Sequence, residues 1–167
     1  REGFDAALVA PLVACASASR RRAVFAVRRT LAGLVFGFNE RASSRIVVIK
    51  SCHILMPELS AALPTLRKLA ETAPTRWKAF DLHVTFCDNG LDVVFTGGDA
   101  DDDLTGAEIE SLTGCAQVTG VARLTVDDAP VVAYEAPVVR FGGMPVSIPP
   151  GGFLQASVQG EAALTEF

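Results

Sequence analysis

The sequence predicts an α+β fold: an antiparallel or mixed β-sheet with two main helices plus a short C-terminal helix. Three observations carry that expectation. Strand-like apolar stretches dominate both halves of the chain, two stretches have helical periodicity, and strands and helices do not alternate one for one, which argues against a doubly wound sheet. A tight hairpin signal, Asp88-Asn89-Gly90, sits between two alternating runs, and Asn-Gly tolerates the positive φ that a primed turn requires.

The elements follow in order. Residues 20–29 (RRRAVFAVRR) and 31–40 (LAGLVFGFNE) are β-rich, with a turn at 30–33, and 44–50 (SRIVVIK) adds a third strand. In 57–73, Leu59, Ala62, Leu63, Leu66, Leu69 and Ala70 share a stripe opposite Arg67, Lys68 and Glu71. Pro57 suits the first turn of that helix; Pro64 predicts a kink or a restart, because an interior proline costs about 3 kcal/mol. From 80 to 87, Phe80, Leu82, Val84 and Phe86 alternate with Asp81, His83, Thr85 and Cys87, and 91–96 returns after the hairpin. Thr105 and Glu108 have capping-box spacing at the start of a second helix that Gly114 or Gly120 ends. VARLTV, PVVAYEA and VVRFGGMPVSI complete the strands, and PPGG at 149–152 leads into a short helix.

The 167 residues, 50% hydrophobic, suffice for one domain with a substantial core. No apolar run approaches the roughly 20 residues of a membrane-spanning helix, and no signal peptide opens the chain, so the expectation is a soluble, cytoplasmic protein with no membrane partner. The four cysteines, 15, 52, 87 and 115, are widely spaced and read as reduced thiols without a self-contained zinc or redox motif. The acidic run Asp99–Asp103 reads as a solvated loop, since it lacks the offsets of a calcium loop.

Charge is unevenly distributed. Net charge is −4, yet residues 1–50 carry nine bases against three acids, a balance of +6 that leaves −10 for the remainder. On a strand, Arg20, Arg22 and Arg28 share one face and Arg21 and Arg29 the other. Three consecutive arginines cannot all enter a core, because an unpaired buried charge is prohibitive. They are either a solvated strand end or a phosphate-binding edge joined by Arg41, Arg45 and Lys50.

Two segments in fixed order, SRRRAVFAVRR…GFNERASSRIVVIKSCHILMPEL and VRFGGMPVSIPPGGFLQASVQGEAAL, resemble the middle of the bacterial RNA uracil-5-methyltransferases. The similar branch carries a [4Fe–4S] cluster and modifies 23S ribosomal RNA. The resemblance implies three divisions: a lead-in (1–18), a central RNA-positioning domain (19–152), and, at 153–167, the start of a linker helix into an S-adenosylmethionine-binding methyltransferase domain. It implies that Cys52 is the fourth cluster ligand, its three partners lying upstream; the family's proline after that cysteine is His53 here. It further implies that Phe153 and Gln155 lie near cofactor and target uracil. No catalytic residue is expected within these residues, since the nucleophile, the general base and the cofactor loop belong downstream. The intact protein would use S-adenosylmethionine and the cluster, with neither expected bound to this piece, and its partner would be RNA, in this branch ribosomal. The alternative is a stand-alone RNA- or protein-binding module. A self-contained hydrolase finds no support, because no nucleophile elbow is present.

Overall fold

The computed structural model describes Val9 and residues 11–98 and 103–165. Its element order is β1 (Arg22–Thr30), β2 (Gly33–Asn39), β3 (Ile46–Val48), α1 (Pro57–Ala61), α2 (Leu63–Thr72), β4 (Ala79–Cys87), β5 (Gly90–Thr96), α3 (Gly106–Gln117), β6 (Val121–Val126), β7 (Ala129–Ala133), β8 (Val138–Phe141), β9 (Met144–Ser147) and α4 (Val158–Thr165). The first seven strands form one mixed sheet in the order β3-β2-β1-β4-β5-β6-β7; β8 and β9 form a separate hairpin. The fold is therefore α+β.

Hydrophobic alternation decides which face of the sheet is covered. Phe25 and Val27 of β1, Phe36 of β2, Phe80, Leu82 and Val84 of β4, and Val93 and Phe95 of β5 meet Leu59, Leu63, Leu66, Leu69 and Leu112 of the helices in a single core. The Phe25 and Phe36 rings stack with centroids 5.0 Å apart. Burying each such side chain contributes roughly 1.5–3 kcal/mol. The intervening residues, Arg22, Val24 and Arg28 on β1 with Asp81 and His83 on β4, occupy the opposite face and are exposed or half-buried.

Pro64 acts as a restart. α1 ends at Ala61 and α2 begins at Leu63, so Pro64 occupies a first-turn position where its missing N–H breaks no helical bond. Thr105 and Glu108 form the capping box of α3, each side chain bonding the other's backbone N–H. Two pairings the pattern does not announce are β1 with β4, which β2, β3, α1 and α2 separate in the chain, and β5 with β6, which run parallel and are joined across α3.

At one end of the sheet a second apolar cluster gathers Cys87, Val139, Ile148 and Leu154 beside Phe141. Asn89 fastens it, accepting from the Val138 N–H at 2.9 Å and donating to the Ala136 carbonyl at 2.9 Å. The turn residue thus also anchors the β8–β9 hairpin. At the other end, a side chain at Gly37 would collide with the Val47 carbonyl, so glycine is what lets β3 pass so close to β2.

Candidate nucleic-acid interface

The arginines of the β1 region separate into two groups. Arg20 is exposed, its Nε donating to the Arg22 carbonyl at 2.9 Å. Arg22 is half-buried, and its guanidinium carbon lies 5.9 Å from the centroid of the Phe153 ring. Arg28 is exposed on the same face of the strand, six residues on, which is about 20 Å at the usual rise per residue.

Arg21 and Arg29 have structural partners instead. Arg21, expected among the RNA-binding cations, is 6% exposed. Its Nη2 meets a Glu161 carboxylate oxygen at 2.5 Å and its Nε donates to the Gln155 carbonyl at 3.3 Å. Arg29 caps the end of α2, donating to the carbonyls of Ala73 at 2.6 Å and Glu71 at 3.3 Å. The physical reason is alternation: these two point away from the open face, where a cation must find a partner. Arg45 lies 4.0 Å from Glu40 with both side chains solvated, and Arg41 and Lys50 are exposed beside β3.

Phe153 is 81% exposed. Leu154 beside it is buried, and the Arg21 N–H donates to the Ala156 carbonyl at 2.8 Å, so the backbone of 154–156 is held against β1 while the Phe153 ring faces outward. Gln155 is half-buried, and its side-chain amide has no hydrogen-bond partner among the described residues. The segment 153–157 precedes α4 instead of forming its first turn; the helix starts at Val158, with Ser157 Oγ accepting from the Gly160 N–H at 3.1 Å.

His83 lies on the open face, opposite Val24, with Nε2 3.0 Å from Thr96 Oγ1. Desolvation lowers its pKa below the ordinary histidine value, Arg22 adds to the lowering, and Asp81 opposes it. The imidazole is therefore neutral at pH 7. Burial pushes the Cys87 thiol up to about 12, with Asp92 adding to the rise, so it is not a nucleophile.

Cys52 is half-buried against the main core, in a segment whose neighbour His53 accepts from the Ala18 N–H at 2.9 Å. Among the described residues no three His, Cys, Asp or Glu side chains come together. One thiol does not meet the need of an iron–sulfur cluster for about four, so the described residues alone do not fit that group. The N-terminus of α3 is no anion site either, because the Glu108 carboxylate already accepts there from the Thr105 N–H at 2.9 Å and pairs with Arg76. Of the acidic run Asp99–Asp103, only Asp103 falls within the described residues.

The pairing of Arg22 with Phe153 and the place of His83 were not predicted from sequence. Arg22 and Phe153 lie at opposite ends of the chain, and no local pattern marks residues that only the tertiary fold brings together.

No family model matches the chain. A protein of Mesorhizobium japonicum named an uncharacterized RNA methyltransferase is 41% identical over 99% of this chain and 39% of its own length. One of Brucella melitensis with the same description is 38% identical over 93% of this chain and 37% of that protein. The 23S rRNA (uracil(1939)-C(5))-methyltransferase RlmD of Marinomonas posidonica is 32% identical over 47% of this chain and 18% of its own length. The chain spans about two fifths of the length of the first two of these relatives. It is homologous, along nearly its whole length, to one segment of proteins named RNA methyltransferases.

Proposed function

We propose that this chain is the substrate-positioning part of an S-adenosylmethionine-dependent RNA (uracil-5-)-methyltransferase acting on ribosomal RNA in the cytoplasm. The observation that carries the reading is an outward-facing aromatic, Phe153, 81% exposed and bordered by the Arg22 guanidinium. A base stacked on such a ring contributes about 1–3 kcal/mol, whatever its identity. Exposed apolar rings are otherwise a liability, so a ring held outward on an anchored backbone beside a cation fits an unstacked base.

The work of these residues is positional. Arg20, Arg22 and Arg28 neutralise phosphates along the open face, which orients the strand without reading its sequence. Phe153 stacks a base, and the unpartnered Gln155 amide offers both a donor and an acceptor to a base edge. S-adenosylmethionine would supply the methyl group in a protein of the relatives' length, and the described residues perform no bond-making step.

Fluorescence anisotropy with a labelled single-stranded rRNA oligonucleotide tests the reading. Phe153→Ala is expected to weaken binding by roughly 5–150-fold, the equivalent of one base stack removed. Reversing Arg20 and Arg22 to Glu should lower the salt slope by about 0.7 for each phosphate no longer neutralised. Unchanged affinity and slope in both variants refute the surface.

A further inference from the structure

Beyond the Phe153 platform, the open face carries a second feature. Two hollows, of about 220 Å³ and 370 Å³, adjoin each other and share Arg28 and Ile46. The smaller is lined by Asn39, Asp81 and Thr96, and the larger by Ser44 and Arg45. β3 closes one side of both, since its approach to Gly37 brings Ile46 opposite Asn39.

The side chains divide by chemistry. Arg28, Arg45 and Ser44 make the larger hollow rich in donors, with Arg45 keeping a solvated contact to Glu40 at 4.0 Å that a phosphate would have to displace. The smaller has a carboxylate, an amide and a hydroxyl, and Arg28 lines it as well. Among the described residues, Arg28, Asn39 and Asp81 make no side-chain hydrogen bond or ion pair. Thr96 does have a partner, the His83 imidazole at 3.0 Å.

We propose that these hollows form a nucleotide subsite, in which Arg28 and Arg45 hold a phosphate and Asp81 accepts hydrogen bonds from the base. The base is guanine, because guanine alone presents adjacent imino and amino donors that a carboxylate can accept as a pair. A carboxylate beside a bare phosphate site would be repulsive, and this one is useful only if something with donors lies between it and the anion. The inference rests on the RNA-positioning reading and deepens it: a guanosine of the same strand, not the immediate neighbour of the stacked nucleotide, is held about 20 Å from it, the span of β1 from Arg22 to Arg28.

The test is a titration of the chain with 5′-GMP, 5′-AMP and inorganic phosphate, followed by amide chemical shifts. Saturable shifts at Asn39, Asp81 and Thr96 are expected with GMP, and Arg28→Ala should weaken them roughly 10–100-fold by removing a charge-assisted hydrogen bond. Asp81→Asn should abolish a preference for GMP over AMP of about 5–150-fold. Phe153→Ala should leave GMP binding unchanged. Phosphate binding as tightly as GMP, or shifts that persist in Arg28→Ala, overturns the subsite. If the chain binds single-stranded RNA through Phe153 and shows none of these shifts, the subsite falls and the RNA reading stands. If it binds neither, both fall.

Discussion

Replacing Arg21 with Met strands a buried carboxylate. Arg21 and Glu161 have side chains 7% and 10% exposed and meet at 2.5 Å, and the same guanidinium donates to the Gln155 carbonyl. Breaking a buried pair from one side costs about 3–5 kcal/mol, because the remaining charge has neither water nor partner. The loss in Arg21→Met should therefore be about 3–5 kcal/mol at pH 7. A loss of about 4 kcal/mol consumes much of the 5–15 kcal/mol by which a domain is ordinarily stable. The double variant Arg21→Met/Glu161→Leu replaces the pair with apolar groups of similar volume and should recover most of the loss. Urea denaturation of the parent, both single variants and the double variant at pH 7 measures this. A single variant within about 1 kcal/mol of the parent at pH 7, or a double variant no better than Arg21→Met, refutes the pair as a buried strut.

Four further outcomes are expected. Thr105→Ala removes the capping box of α3 and should cost about 1 kcal/mol by urea denaturation. The Glu108 carboxyl in that box is held below its ordinary value, first by the Thr105 N–H and also by Arg76. Its contribution is present above the ordinary glutamate range and lost as pH falls through the depressed value, so Glu108→Gln should narrow the stability gap between pH 7 and acid. His83, lowered by burial, contributes stability present above 6.5 and lost as pH falls below it; His83→Gln should flatten that part of the profile. Gly37→Val should disrupt β2–β3 pairing through collision with the Val47 carbonyl, read as diminished amide protection at 46–48.

Local chemistry was legible where it decides local structure. The Asp88-Asn89-Gly90 hairpin, the Thr105 box and the Pro64 restart each rest on a few adjacent residues and fall where their patterns put them, except that only Gly90 takes positive φ while Asp88 and Asn89 form the loop, so the turn is not the primed one expected. The parallel pairing of β5 with β6 was not legible, because one α3 crossover among antiparallel neighbours leaves no mark on hydrophobic alternation. The arginines show the limit more sharply. Alternation assigns Arg21 and Arg22 to opposite sides of β1, but only the tertiary structure supplies Glu161 for the first and Phe153 for the second. A sequence can say that two adjacent cations diverge; it cannot name partners far along the chain.

That divergence links stability to recognition. Arg21 and Arg22 are neighbours on one strand, so the side chain that fastens 155–161 to the sheet and the one beside Phe153 share a backbone. Loosening Arg21 frees the segment that carries Phe153, while removing Phe153 leaves the Arg21–Glu161 pair intact. The two perturbations therefore differ in direction. Arg21→Met should weaken both stability and RNA binding, and the double variant should restore both together. Phe153→Ala should weaken binding at unchanged stability, because an 81% exposed ring contributes little burial to the fold. If stability returned in the double variant and RNA affinity did not, the Arg21 donation to the Gln155 carbonyl, which Met cannot replace, would be what places Phe153.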